Sequence, residues 1–192
     1  MTKVTLEVGH GPYRTRSGNT GFEEGANGPG TTEYKELVVM ADIAADSLRK
    51  QGYDVKVSDP QDTLYAIGQQ SAGSDIFVSL HLNAFNKMVQ GTEVLVHRNG
   101  TNEDVELANA ILACLVNTLD LPNRRVKRQG LAVLSGVPAS VHAACLTEAF
   151  FIDSVSDAAT VRTMTEQAAV AIAEGIDQYA KVKGLKPEVA IV

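Results

Sequence analysis

The sequence predicts an α/β protein of three layers, with a mostly parallel or mixed sheet of about six strands flanked by helices. Short apolar runs typical of strands alternate along the chain with longer segments whose apolar residues recur at helical spacing. No internal repeat and no interior linker interrupts this alternation. Parallel strands need crossover connections, which helices usually supply, so the pattern favours one sheet covered on both faces.

The chain is long enough for one domain and apolar enough for a sizeable core, with 192 residues of which 44% are hydrophobic. We expect residues 1–184 to form this domain and residues 185–192 a C-terminal tail. Its two cysteines, Cys114 and Cys145, are too few and too far apart for a disulfide framework or a CxxC metal site. We therefore expect reduced thiols in the core.

The overall charge and hydropathy exclude several partners. The net charge of −6 argues against a protein that binds mainly nucleic acid or an anionic membrane. No run of about 18 apolar residues is present, so no membrane-spanning helix is expected. The first residues lead directly into a strand pattern without a signal-peptide core, which predicts synthesis in the cytoplasm unless an export signal has been removed.

The first third of the chain predicts two strands around a long loop and a helix. Residues 3–8 alternate as a strand, and the glycine-rich residues 9–30 form an irregular loop of a length that is usually functional or disordered. Thr31 or Thr32 can cap the next helix, whose apolar stripe runs over residues 37–48. Gly52 suits its C-terminal end, and residues 53–57 form the second strand.

The remaining elements follow the same alternation. A short helix around residues 62–70 leads to a third strand at 76–80, and residues 92–97 form a fourth. Residues 102–119 place their apolar side chains on one helical face. Residues 131–134 and 142–147 are two further strand candidates, and residues 157–182 form a final amphipathic helix.

Histidine and glutamate stand at several strand ends and helix starts. His10 follows the first strand, Glu33 opens the first long helix, His81 ends the third strand and Glu148 ends the last. Sites in open α/β sheets form at the carboxyl ends of strands. Two imidazoles and one carboxylate with an open fourth position make a common catalytic zinc site, beside which a further carboxylate can move protons.

The residue types alone leave the choice of carboxylate open. The helix dipole favours an ionised Glu33, but spacing does not choose among Glu23, Glu24 and Glu33. A histidine at a strand end or a glutamate in a first helical turn is also common as a purely structural residue.

A set of motifs in a fixed order decides between a metal-binding and a purely structural role for these residues. They are GHG at 9–11, a helix-opening glutamate leading to GYDV at 52–55, SLHLNA at 79–84, GTEV at 91–94 and LTEAFF at 146–151. In this order the sequence resembles the zinc-dependent N-acetylmuramoyl-L-alanine amidases of type 3, a family of bacterial autolysins and phage lysins. The resemblance spans nearly the whole chain.

The resemblance implies which residues perform the chemistry. The family's metal ligands fall on His10, Glu33 and His81, with Zn²⁺ as the cofactor, and its catalytic glutamate falls on Glu148. Glu23 and Glu24 then lie in the loop before the helix rather than among the metal ligands.

The resemblance also suggests supporting roles for other residues, and the sequence departs from the family pattern in two places. Glu7 stands where the family usually has aspartate and is expected to support a metal ligand. Asn83 is expected to fix a turn or touch substrate, and Arg128, in the basic segment 123–130, to attract stem-peptide carboxylates, although a solvated loop face also explains that segment. The loop after His10 is longer than usual and is expected to form a wall or lid.

The resemblance implies a peptidoglycan hydrolase that cleaves the bond between N-acetylmuramic acid and L-alanine. A zinc hydrolase of another amide on the same scaffold and a non-catalytic wall-binding protein are the alternatives. The implied partner is peptidoglycan, reached after release or export, with no nucleic acid or membrane partner and with a monomer favoured. A phage endolysin and a host remodelling enzyme both fit the sequence.

Overall fold

The structure is a computed structural model that describes residues 1–15, 17–58 and 63–185. Its strands are β1 (Lys3–Val8), β2 (Gly11–Arg14), β3 (Thr20–Glu23), β4 (Asn27–Gly28), β5 (Thr31–Thr32), β6 (Asp54–Ser58), β7 (Ile76–Asn83), β8 (Thr92–His97), β9 (Asn123–Gln129) and β10 (Ala143–Phe151). Its α-helices are α1 (Glu33–Lys50), α2 (Leu64–Gln69), α3 (Asn102–Leu119), α4 (Ala132–Gly136) and α5 (Ala158–Lys183).

The main sheet confirms the predicted fold class. It has six strands in the order β6-β1-β7-β10-β8-β9, and every neighbouring pair is parallel except β10 with β8. The central strands are buried along most of their length, with Leu6, Val78 and Cys145 fully buried, because helices cover both faces of the sheet.

The two helical layers differ in thickness. On one face α1, α3 and α5 pack over the main hydrophobic core, in which Leu37, Ile111 and Ile172 are fully buried. On the other face the short helices α2 and α4 cover a smaller cluster around Phe77 and Leu146. The thin layer leaves the carboxyl ends of β1 and β7 accessible from that side.

Two predicted elements were wrong, and both errors follow from short patterns. Residues 131–134 were expected to be a strand, but α4 occupies Ala132–Gly136, because an apolar run of four residues fits a helical turn as well as a strand. The basic segment 123–130 was assigned no strand, and a solvated loop face was one interpretation of it, but it forms β9 at the edge of the sheet, where charged side chains commonly prevent further strand pairing.

Other boundaries moved in ways that affect the site. β7 continues to Asn83, so His81 lies within the strand rather than at its end, and β10 continues past Glu148 to Phe151. The loop 9–30 is not structureless but contains two small hairpins, β2–β3 and β4–β5. Of the expected C-terminal tail, residues 186–192 lie outside the described residues.

Two further expectations are met. Cys114 and Cys145 are both free and buried. Among the described residues, no helix is long and apolar enough to cross a membrane.

An ion pair between the exposed Arg162 and the buried Glu36 joins α5 to α1 and predicts an effect on stability. The Arg162 guanidinium donates to both oxygens of Glu36, from Nε at 2.9 Å and Nη2 at 3.0 Å, and Glu36 is only 2% exposed. We expect Glu36→Gln to lower the free energy of unfolding by about 2 kcal/mol at pH 7, because the bonds lost are charge-assisted and partly desolvated. Urea unfolding measures the change. The matched control is Asp46→Asn, which removes an exposed ion pair on the same helix and should cost below about 1 kcal/mol.

The same pair predicts a pH dependence. Burial alone would raise the pKa of Glu36, but the Arg162 guanidinium and the Thr31 hydroxyl outweigh it and hold that pKa below its ordinary value of 4.5. A carboxylate with a lowered folded-state pKa stabilises the fold above its unfolded pKa and loses this contribution as the pH falls. The difference in the free energy of unfolding between the native protein and Glu36→Gln, the stability gap, should therefore narrow below about pH 4.5. A gap that stays constant down to pH 3 would contradict this assignment.

Candidate metal centre

His10, Glu33 and His81 converge at one edge of the sheet. His10 follows β1, Glu33 is the first residue of α1, and His81 lies near the end of β7. His10 Nε2 is 3.1 Å from Glu33 Oε2, and His81 Nδ1 is 3.1 Å from Glu33 Oε1. One donor atom from each residue lies within 4.8 Å of the others. Three side chains separated by as many as 71 positions in the sequence therefore face one common point.

The local backbone explains how the two rings reach that point. His10 has a φ of 64°, a left-handed conformation that is uncommon outside glycine and often marks functional sites. A Cβ on Gly9 would lie 2.3 Å from His81 Cε1, and one on Gly25 would lie 2.6 Å from Glu33 Oε2. Side chains at these two positions would displace a donor, so glycine is required at both.

Glu33 is fixed in its ionised form. It is 3% exposed and accepts hydrogen bonds from the Leu82 N–H at 2.9 Å and the Ala26 N–H at 2.8 Å. Burial alone would raise the pKa of Glu33, but the hydrogen bonds and charges of His10 and His81 outweigh it and hold that pKa at about 2. This carboxylate is therefore a permanent anion between two imidazoles.

These residues fit a zinc ion. Zinc in catalytic sites takes nitrogen and oxygen donors from three side chains and leaves a further position open. In a tetrahedral zinc site with bonds of about 2.0–2.2 Å, two donor atoms lie roughly 3.4 Å apart. Small side-chain movements would bring the donor atoms of His10, Glu33 and His81 to this spacing. A buried anion with two neighbouring imidazoles also suits the charge of a divalent cation.

Glu148 supplies a second carboxylate beside this group. It is paired with His81 in the register of β7 and β10, and its Oε2 is buried without a hydrogen-bond partner in the described part of the chain. Burial raises the pKa of Glu148 to about 7, assisted by the negative charges of Glu33 and Glu93 and opposed by His81. A carboxyl group with a pKa near neutrality and a free oxygen is suited to accept and return a proton.

Two further glutamates contact the candidate metal ligands or lie beneath them. Glu7 is buried, accepts a hydrogen bond from the Ser79 hydroxyl, and carries a pKa raised by burial. Glu23 Oε1 lies 3.5 Å from His10 Nδ1, whereas Glu24 turns away to accept a hydrogen bond from Thr32. Glu23 is thus placed to orient His10, a role commonly taken by carboxylates behind a metal-binding histidine.

Glu93 was not given a role in the sequence analysis, although the GTEV motif contains it. Its carboxylate is 7% exposed and accepts from Lys127 Nζ at 2.6 Å and Arg124 Nε at 2.9 Å. Burial alone would raise its pKa, but these two cations outweigh it and lower the pKa of Glu93. Asn83 Nδ2 also reaches Glu93 Oε1 at 3.4 Å, so Asn83 lies in this network rather than at the donor group.

Arg128 and the other two histidines lie away from the centre. Arg128 Nη1 donates to the Gly100 carbonyl at 2.8 Å, which ties β9 to the loop before α3. His97 is 3.1 Å from the Ser135 hydroxyl, and His142 is exposed beside the Tyr179 ring. The basic segment therefore contributes Lys127 and Arg124 to the network around Glu93, whereas Arg128 makes its contact elsewhere.

A cavity of about 610 Å³ opens next to His10 and His81. Its walls are mainly apolar and come from the β2–β3 hairpin, the short helices α2 and α4, and β10. Tyr13 and Phe22 of the hairpin stand on one side, and Leu64 and Val133 on the other. The long loop after His10 therefore does form a wall of this cavity.

Comparisons with known proteins agree with this geometry. The sequence profile described as N-acetylmuramoyl-L-alanine amidase matches residues 4–178. The uncharacterised protein YqiI of Bacillus subtilis (strain 168) is 28% identical over 184 residues, which cover 92% of this chain and 84% of that protein. The N-acetylmuramoyl-L-alanine amidase of Clostridium difficile 630 superimposes with a TM-score of 0.80 at 25% identity, covering 95% of this chain and 98% of that one. The catalytic domain of the CD27L endolysin, which targets Clostridia Difficile, does so with a TM-score of 0.72 at 27% identity, covering 93% and 98%.

Proposed function

This chain belongs to the N-acetylmuramoyl-L-alanine amidase family, and we propose that it cleaves the amide between N-acetylmuramic acid and the L-alanine of the stem peptide with zinc held by His10, Glu33 and His81. The observation that carries the proposal is the convergence of these three donors beside Glu148, whose Oε2 is buried and has no hydrogen-bond partner within residues 1–15, 17–58 and 63–185. Peptidoglycan lies outside the cytoplasmic membrane, so this activity requires release or export of the protein.

The residues around the centre divide the work of hydrolysis. A zinc ion held by His10, Glu33 and His81 would supply Lewis acidity for the attack of a water on the amide carbonyl. Glu148 takes a proton from the attacking water at Oε2 and returns it to the departing L-alanine nitrogen. Glu33 stays ionised throughout because its pKa lies far below neutrality. Gly9 and Gly25 keep the two rings and the Glu33 carboxylate in place.

The surroundings of Glu148 support its part in proton transfer. Its carboxyl group must give and take a proton near neutral pH, and burial together with the neighbouring Glu33 and Glu93 charges brings its pKa to about 7. Arg124 and Lys127 hold Glu93 in its ionised form nearby. The ionised Glu93 therefore adds to the effect of burial and Glu33 on the pKa of Glu148, while His81 opposes it.

The products of digestion test the proposed reaction. Purified peptidoglycan incubated with the zinc-loaded protein should release stem peptides with free L-alanine amino termini and leave glycan chains without stems, both detectable by mass spectrometry. Chelator-treated protein is the control and should release neither. Glycan fragments that keep their stems, or peptides cut at another bond, would point to a different hydrolase and contradict the amidase.

A further inference from the structure

We propose that Arg14 binds a free carboxylate of the stem peptide and thereby determines which peptidoglycans this protein cleaves, an inference that rests on the proposed function. Arg14 belongs to the hairpin β2–β3, whose base places Glu23 beside His10 and whose strands line the cavity. The recognised group is an α-carboxylate near the scissile amide, and the cavity beside His10 holds the peptide.

The hairpin is fixed against the candidate metal centre. Its strands pair from Gly11 with Glu23 to Arg14 with Thr20. Phe22 meets the Tyr34 ring edge to face, with ring centroids 5.0 Å apart, and a Cβ on Gly11 would lie only 2.4 Å from the same ring. Glu23 at the base lies 3.5 Å from His10 Nδ1. The base of the hairpin is therefore held by α1 and by His10.

Arg14 is a free cation on the wall of the cavity. It is exposed, and among the described residues it is the one lysine or arginine that lines the cavity. Within residues 1–15, 17–58 and 63–185 no side chain forms an ion pair or hydrogen bond with its guanidinium. In contrast, Arg124 and Lys127 are already paired with Glu93, and Arg128 with a carbonyl. Arg14 is thus available for an anion that arrives with the substrate.

The chemistry of the cavity favours a carboxylate as that anion. A planar guanidinium forms two parallel hydrogen bonds with a carboxylate, and the interaction strengthens where apolar walls exclude water. Tyr13, Phe22 and Leu64 supply apolar surface to the same cavity and are themselves partly exposed, so a bound peptide would complete the exclusion of water. The two acidic side chains in the lining have partners of their own, since Glu7 is bonded to Ser79 and Glu23 lies beside His10.

The distance along the hairpin indicates which carboxylate is reached. Four extended residues from His10 to Arg14 span roughly 13 Å, and a peptide lying alongside covers that length in about four residues. A stem peptide that runs from the scissile amide alongside β2 therefore passes Arg14 within its first four residues, a stretch that includes the second and third stem residues. The second residue is a glutamate linked through its side chain, so its α-carboxylate is free in some walls and converted to a carboxamide in others.

Matched substrates test the proposal. Two N-acetylmuramoyl tripeptides are compared that differ only in a free α-carboxylate or a carboxamide at the second residue. We expect the zinc-loaded protein to favour the carboxylate by roughly ten-fold in kcat/KM, because a charge-assisted bidentate pair is lost with the amide. Arg14→Gln should bring this ratio close to one, and Arg14→Lys should keep part of it. Arg49→Gln, which makes the same change at the far end of α1, should keep the full ratio.

The possible outcomes separate the two proposals. If the native protein cleaves neither substrate, the proposed function fails. If it cleaves both with equal kcat/KM, or if Arg14→Gln lowers both values and leaves their ratio unchanged, the proposed role of Arg14 is wrong while the amidase activity stands. Binding of the product tripeptides by calorimetry gives a readout independent of turnover, and the carboxylate form should lose affinity in Arg14→Gln.

Discussion

Replacing Glu148 with glutamine should leave zinc bound and lower kcat by about 10²–10⁴-fold, the range that a positioned general acid–base residue contributes. Glutamine keeps the shape of the side chain, so the buried position between β7 and β8 stays filled, but its amide cannot take a proton from water. Glu148→Ala should be equally inactive. Mass spectrometry measures whether zinc is retained, and assays on muramoyl peptides measure the loss in kcat.

The control for Glu148→Gln is Glu174→Gln. Glu174 is exposed on α5, on the face of the sheet opposite α2 and α4. This variant should retain both zinc and turnover. A Glu148→Gln protein that turns over at the native rate would remove this residue from the mechanism. One that loses zinc as well would make Glu148 a ligand rather than the proton carrier.

Replacing His10 or His81 with alanine should lower the affinity for zinc more than about 100-fold. Groups that merely support a metal ligand already contribute 10–100-fold, and each imidazole here is one of three donors facing a common point. Competition with a fluorescent chelator measures the affinity, and circular dichroism shows whether the variants fold. Because each change removes one donor and leaves Glu148 intact, activity and zinc should be lost together.

The matched control for the histidines is His142→Ala, an exposed histidine at the start of β10 whose ring lies beside Tyr179. Its zinc affinity should equal that of the native chain. Retention of tight zinc binding by both His10→Ala and His81→Ala would show that the ion binds elsewhere.

The fold was predictable where the hydrophobic pattern is long. Residues 102–119 were expected to be a helix and α3 has those bounds, because eighteen residues repeat one apolar face several times. The four apolar residues at 131–134 carry too little periodicity to separate a strand from a helical turn, and β9 has almost no apolar residues. Its strand conformation depends on pairing with β8, which is a tertiary contact.

The site was predictable to a smaller extent. Spacing alone left Glu23, Glu24 and Glu33 as alternatives; the helix dipole favoured Glu33, and the family motifs decided for it. The structure places Glu33 between two imidazoles and Glu23 behind one of them, a distinction that depends on the fold of the loop. The pairing of Glu93 with Arg124 and Lys127 joins residues 31 and 34 positions apart, so no local pattern indicates it.

The position of the metal ion is the most direct test of the proposed centre. Crystals grown with zinc and measured at its absorption edge should show one anomalous peak bonded to His10, Glu33 and His81 at about 2.0–2.2 Å, with Glu148 nearby but not bonded. A peak bonded to other side chains, or none at these three at saturating zinc, would contradict the zinc mechanism proposed for this chain.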